Sequence, residues 1–180
     1  MSPTLRAAFW MSGTLASLIV MALGGRELSA GMSTFEMLFF RSLIGLAVIS
    51  VLLSRSGWAQ IKSEKVGLHI IRNSAHYVGQ FGWFYGIALL PLAQVFALEF
   101  TLPIWTAILA PVLLGERLTG TRIAVIVIGF TGALIILRPG MVPIDTATLV
   151  VLVAAFGFAT SHTLTKKLSR TDSALRILFY

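Results

Sequence analysis

His69, Arg72, Asn73, His76 and Gln80 recur at intervals of three or four residues within one long, largely apolar stretch. On a helix this spacing places all five on a single stripe. Imidazole changes charge near neutral pH, and a carboxamide both donates and accepts hydrogen bonds. Such a stripe cannot face lipid and must line an aqueous cavity or meet polar groups on neighbouring helices. His76 is the deepest of the set and its best titratable residue. Tyr77, Phe81, Trp83, Phe84 and Tyr85 adjoin the stripe and could stack on a planar or cationic ligand. Packing is the commoner use of such aromatics, and a structural hydrogen bond is the commoner use of a lone histidine, so both readings stand at this point. Arg72 lies close enough to its end of the stretch to snorkel.

Two further ionisable residues interrupt apolar stretches, Arg41 and Glu99, each about two helical turns from the same end. They border a substrate or proton path, or they neutralise one another as an ion pair. Pro103, four residues after Glu99, removes the donor to the Glu99 carbonyl and predicts a break at membrane depth. His162 stands among Thr160, Ser161, Thr163 and Thr165, where interhelical hydrogen bonding is expected. No carboxylate or second imidazole stands at ligand spacing beside His76, so no metal site and no cofactor is expected. The chain has no Cys. Nucleophile-elbow, zinc-protease, phosphate-loop and dinucleotide motifs are absent, which argues against an enzyme.

The elements that carry these residues follow from composition. Hydrophobic residues make up 57% of the 180 residues and charged ones 12%, with a mean hydropathy of +0.89. Too little polar surface remains to cover a soluble globule, so the fold class is an all-α, polytopic membrane bundle. Six spans are drawn at 7–23, 35–53, 66–90, 92–114, 118–137 and 146–164, and a seventh begins near 173. With the amino terminus inside, eleven of the fourteen Lys and Arg residues fall on the cytoplasmic side. Arg26 and Arg138 fall opposite, and Arg41 lies within a span. The net charge of +7 is therefore a topology signal, and no nucleic-acid partner is expected. Leu90-Pro91-Leu92 predicts a tight hairpin with Pro91 in the first turn of the next helix. Residues 54–65, with Trp58, predict an interfacial segment. Gly79, Gly82 and Gly86, with Gly129 and Gly132, predict close helix contacts. STFEMLFFR at 33–41 resembles DSALRILFY at 172–180, an offset of 139 residues. Five spans per period would insert a second copy upside down.

Residues 86–140, with LLGERLT at 113–119 and a final helix ending in Leu-Arg-Pro, resemble the EamA domain of the drug/metabolite transporter superfamily. FEMLFFRSLIG at 35–45 resembles the second helix of that family, with Arg41 as its arginine. The resemblance implies a ten-helix secondary carrier of two inverted five-helix repeats, with cytoplasmic termini, a central cavity and alternating access. On this reading residues 7–137 form the first repeat and 146–180 begin the second. The carrier is cut after six helices and part of a seventh, and is completed by a missing C-terminal half or by a homodimer. It is a multi-pass protein of the cytoplasmic membrane whose partners are lipid and a small metabolite. Similar carriers take S-adenosylmethionine, riboflavin or amino acids. The substrate set is His76, Gln80, Arg41, Glu99, Asn73, Tyr77 and Trp83, with Pro103 as the helix break. Gly115, Glu116 and Arg117 form a helix-ending turn in which Glu116 is structural or gating. The alternative function is a non-transporting membrane assembly or regulatory subunit.

Overall fold

The computed structural model describes residues 2–138 and 145–180. Pro139 and Gly140, which close the resemblance above, lie outside them. Helix α1 runs over Pro3–Leu28 and is capped by the Ser2 hydroxyl, which accepts from Leu5 N at 3.2 Å. Helix α2, Thr34–Ser56, starts with a capping box: Ser33 Oγ accepts from Glu36 N, and Glu36 Oε2 accepts from Ser33 N at 2.7 Å. A single 3-10 turn, Trp58–Ile61, leads to α3, Val66–Leu89. Helices α4, Leu92–Glu99, and α5, Leu102–Leu114, divide one apolar stretch. Helices α6, Gly120–Leu137, α7, Thr146–Leu168, and α8, Ala174–Phe179, follow. Among the described residues there is no strand. Pro91 is the N-cap of α4, one position ahead of the first turn.

Five segments are long and apolar enough to cross a membrane: α1, α2, α4 with α5, α6 and α7. The third of the six sequence-drawn spans, now α3, has the length at 24 residues but lacks the hydropathy because of its polar stripe. It is protected instead by position, packed along α7 in the most extensive helix pair of the bundle.

Small residues make that pairing close. A Cβ added at Gly157 would lie 2.7 Å from the Ala75 carbonyl oxygen, and one at Gly82 would lie 2.8 Å from that of Val150. Neither site admits a side chain without moving a backbone. Trp83, Phe84, Ile87, Leu98 and Val151 build the core beside this contact. From α1, Arg26 donates to the Ile87 carbonyl at 2.7 Å and to that of Leu90, satisfying the end of α3. In contrast, a Cβ at Gly129 or Gly132 of α6 would meet nothing within 4 Å, so those glycines make no such close contact among the described residues. Of the apolar window of α7, 56% is buried, against 6% for α1 and for α6.

The turn leaving α1 recurs after α7. Ser29 and Ser169 close the two helices in nearly the same conformation, with ψ of −15° and −10°. Ser33 and Ser173 open the next helices at φ −69°, ψ 157°, each hydroxyl accepting from the N–H three residues on at 3.3 Å. The backbone offset is 173 minus 33, or 140 residues, one more than the sequence comparison used. The reason is that the N-cap serine, and not the phenylalanine run, fixes the register.

The second turn is locked to α3. The His69 ring is fully buried, and its Nε2 lies 2.7 Å from Asp172 Oδ2. Ser63 donates to the same oxygen at 2.8 Å, and Arg176 donates to Oδ1 at 3.1 Å. Arg72 does not snorkel. It turns inward, donating to Thr165 Oγ1 at 3.1 Å, to Asn73 Oδ1 at 2.6 Å and to the Ile177 carbonyl at 3.3 Å. Asn73 donates to the Tyr180 carbonyl. Trp58 meets Phe179 edge-on at 6.3 Å, so the 54–65 segment also packs on α8.

Gly157→Ala is expected to cost about 1–3 kcal/mol through this overlap. It should lower the unfolding temperature in detergent, while Gly129→Ala leaves it unchanged or raised. Burial pushes the Asp172 carboxyl up, but hydrogen bonds from His69, Ser63 and Arg176 outweigh it and bring it down to about 2 from an ordinary 3.8. A lowered carboxyl stabilises the fold above its ordinary value, and that contribution is lost as pH falls through about 2. Asp172→Asn should therefore unfold at a lower temperature than the parent at neutral pH, the gap narrowing on acidification below the ordinary value.

Candidate functional site

The polar stripe of α3 divides in two. Its first part, His69, Arg72 and Asn73, is consumed by the lock on α7 and α8 just described. Asn73 thus has its amide committed to protein groups, contrary to its assignment to a substrate set. The second part, His76 and Gln80, meets α2. With its carboxamide oxygen turned toward the surrounding donors, Gln80 accepts from His76 Nε2 at 3.1 Å and from Arg41 Nη2 at 3.2 Å. The Arg41 guanidinium also lies over the Phe84 ring, 5.8 Å from its centroid. His76 meets Phe158 of α7 edge-on at 5.7 Å, and its Nδ1 is buried without a partner among the described residues.

Glu99 is the last residue of α4. Its Oε2 accepts from the Trp83 indole Nε1 at 3.0 Å. Trp83 is only 3% exposed, so it positions Glu99 and has no free face for stacking on a ligand. Arg41 and Glu99 form no ion pair, although each stands seven residues beyond the first residue of its helix (41 − 34 and 99 − 92), at equal depth. Each instead meets a neutral group of α3, at Gln80 and Trp83. These two positions are three apart, so the contacts occupy adjoining levels of one helix.

The helix break falls just before Pro103. The Thr101 N–H and hydroxyl both donate to the Leu98 carbonyl, at 3.1 and 2.7 Å. Pro103 is the second residue of α5, where a missing N–H costs least, and Glu99 loses its i+4 donor. Glu99 and a freed backbone carbonyl therefore coincide. Tyr77 lies apart from the polar set. It is exposed, and with Phe81 it borders a hollow of about 370 Å³ against α7. His162 stacks on Phe158 at 6.0 Å and makes no interhelical hydrogen bond among the described residues.

The larger cavity, about 530 Å³, lies elsewhere, between α5, α6 and α7. Pro103, Thr106 and Ala107 line its depth and Glu116, Arg122 and Lys166 its mouth. Neither hollow includes Arg41, His76, Gln80 or Glu99. Arg41 is exposed and His76, Gln80 and Glu99 are half-buried, so it is their chemistry, and not cavity size, that makes them the candidate set. Pro111, unremarked in the sequence, removes a second donor, the one for Ala107.

Gly115 ends α5 in the left-handed conformation, φ 69°, which favours glycine. The chain is thereby turned so that Glu116 reaches Lys166 at 2.6 Å, Arg122 at 3.1 Å and Arg170 at 3.8 Å. Hydrogen bonds from Lys166 and then Arg122 hold its carboxyl below the ordinary range. Arg117 makes no ion pair among the described residues. The three pairs are solvent-exposed and open to screening. Glu116→Gln should therefore produce a small fall in unfolding temperature at low ionic strength that disappears at roughly 1 M salt. A fall that persists in high salt would count against the ionic account.

Several known proteins are similar to this chain. The S-adenosylmethionine uptake transporter of Rickettsia prowazekii is 27% identical over 171 residues, covering 95% of this chain and 58% of that protein. The riboflavin transporter of Brucella anthropi is 30% identical over 150 residues, covering 83% and 53%. The pseudopaline exporter of Pseudomonas aeruginosa is 28% identical over 156 residues, covering 86% and 55%. The chain thus spans somewhat more than half the length of these curated relatives. No solved structure matches it significantly. The profile of the EamA-like transporter family matches residues 5–138, a stretch holding the capped α2, the stripe of α3, the broken α4–α5 pair and the Gly115–Glu116 turn, and the chain belongs to that family.

Proposed function

We propose that the whole protein is a secondary active transporter of small organic metabolites, working by alternating access in the cytoplasmic membrane with its amino terminus inside. The observation that carries this reading is the polar face at membrane depth. Arg41, His76 and Gln80 meet between α2 and α3, and Glu99 meets Trp83 of α3 at the break of the fourth span. Such groups are costly in lipid and are retained where a polar solute passes.

Residues 7–137 are read as one five-helix repeat and 146–180 as the opening of a second, inverted one. The recurrence of the serine-capped turn at an offset of 140 residues supports this. The scarcely buried α1 and the exposed polar face are then the surfaces that the remainder of a second repeat covers. The Lys- and Arg-rich ends of the helices supply the orientation. The relatives favour metabolites of the size of S-adenosylmethionine or riboflavin as cargo.

Counterflow in proteoliposomes with these two compounds tests the reading. Exchange of at least one is expected. His76→Ala and Gln80→Ala should each reduce it about tenfold, the size of one lost hydrogen bond to a charged group. Full exchange by both single variants and by the double variant would reject the site.

A further inference from the structure

We infer that the cavity between α5, α6 and α7 holds one acyl chain of an anionic phospholipid, whose phosphate sits among Arg122, Lys166 and Arg170 at the mouth. The site lies apart from the polar groups of α2, α3 and α4, and its occupancy does not require transport. At the mouth a single carboxylate, Glu116, meets three cations: Lys166 at 2.6 Å, Arg122 at 3.1 Å and Arg170 at 3.8 Å. One negative charge against three leaves two positive charges without a counter-ion, on side chains that are about half exposed. Helix α6 begins here too, with Thr121 and Arg122 in the cavity lining, so the positive end of its dipole adds to theirs. A basic pocket between spans at the membrane surface suits an anionic headgroup.

Below the mouth the wall is largely apolar. Leu102, Ala107, Ala110, Leu114, Val125 and Ile126 line a cavity of about 530 Å³, and the Thr163 hydroxyl is spent on the Ala159 carbonyl of its own helix at 2.7 Å. From Leu114 back to Pro103, α5 rises through eleven residues (114 − 103), or about 17 Å. One leaflet of the hydrocarbon core is about 15 Å deep. The slot therefore runs from the membrane surface down to the helix break, the depth that an acyl chain fills beneath its own headgroup. It also opens sideways: Val125 and Leu118 both line it, yet they are 61% and 43% exposed. A lipid can enter from the bilayer without leaving it, whereas a water-soluble anion would use the mouth and leave the apolar wall uncovered.

The test measures binding to the full-length protein in nonionic detergent. The probes are phosphatidylglycerol, phosphatidylcholine with the same acyl chains, and glycerophosphoglycerol, the headgroup without chains. Phosphatidylglycerol is expected to bind at least tenfold tighter than either of the others and to raise the unfolding temperature. Combining Arg122→Gln with Lys166→Gln should abolish that preference, and Lys166→Arg, which keeps the charge, should retain it. Ala107→Phe fills the slot and should weaken phosphatidylglycerol binding at least tenfold, whereas Val112→Phe, at a position of the same helix that is 80% exposed and outside the lining, should leave it unchanged. Glu116→Gln removes the competing carboxylate and should tighten binding. Equal binding of the two lipids would mean a chain slot without headgroup choice, and headgroup binding as tight as that of the lipid would mean an anion site without a chain. A preference unmoved by the charge variants or by Ala107→Phe would place the lipid elsewhere on the protein. Each of these results overturns the inference, as does an absence of lipid binding, and none of them bears on counterflow.

Discussion

The close backbone contact between α3 and α7 is the constraint on which the rest of the structure depends. α3 has the length of a membrane span but not the hydropathy, because its polar stripe must be shielded. Glycine and alanine at Gly82, Ala75, Ala154 and Gly157 let the two helices approach until no further side chain fits between them. In lipid, where no solvent-driven term favours helix association, such proximity and the polar contacts it permits are what hold a pair together. Once α3 is fixed to α7, one side of it is dry. Its remaining polar groups can only turn toward α2, α4 and the α7–α8 turn. The division of the stripe into a structural half and an open half follows from that rotation alone.

The two halves satisfy the same electrostatic requirement differently. At the Lys- and Arg-rich end, Asp172 is paired inside the protein with Arg176 and hydrogen-bonded to His69, while Arg72 ends on neutral oxygens. Nearer the other end, Arg41 and Glu99 are each held by a neutral residue. An arrangement built only for stability would bring the two charges together, since their depths match and an unpaired charge in a membrane is expensive. That each is held by a neutral residue of α3 is therefore the feature of the fold that stability does not account for.

Much of this was legible in the sequence. Composition gave the helical membrane class, and the spacing of His69, Arg72, Asn73, His76 and Gln80 gave the stripe. The family resemblance implied the helix-ending turn at Gly115 and Glu116, and Pro103 pointed to the broken span. What escaped the sequence depends on rotation about helix axes, which periodicity leaves unspecified between neighbouring helices. Equal depth made Arg41 and Glu99 a natural pair, yet Arg41 meets Gln80 and Glu99 meets Trp83. Gly129 and Gly132 carry the same small-residue signal as Gly82, but they lie on a helix that this chain leaves largely uncovered. Asp172 looked like one end of a repeat. A lone carboxylate among Lys166, Lys167, Arg170 and Arg176 was the available signal that it would be a buried partner.

The recurring turn shows how one backbone can serve two purposes. Its hydrogen-bond pattern is the same after α1 and after α7, set by Ser33 and Ser173, so the geometry is local and independent of what surrounds it. The side chains it presents differ. Where the first turn has Met32, packed on the apolar core, the second has Asp172 in a buried cluster. Where the first has Glu36 closing its own capping box, the second has Arg176 reaching the Gln60 carbonyl at 2.6 Å. The first turn is therefore self-contained, and the second is bound to the segment before α3. Removing a partner from a buried cluster costs far more than removing one from exposed pairs. At the Lys- and Arg-rich end, α3, α7 and α8 are thus tied more firmly to one another than the α5–α6 turn is tied to them, since that turn meets α7 through the exposed pairs of Glu116.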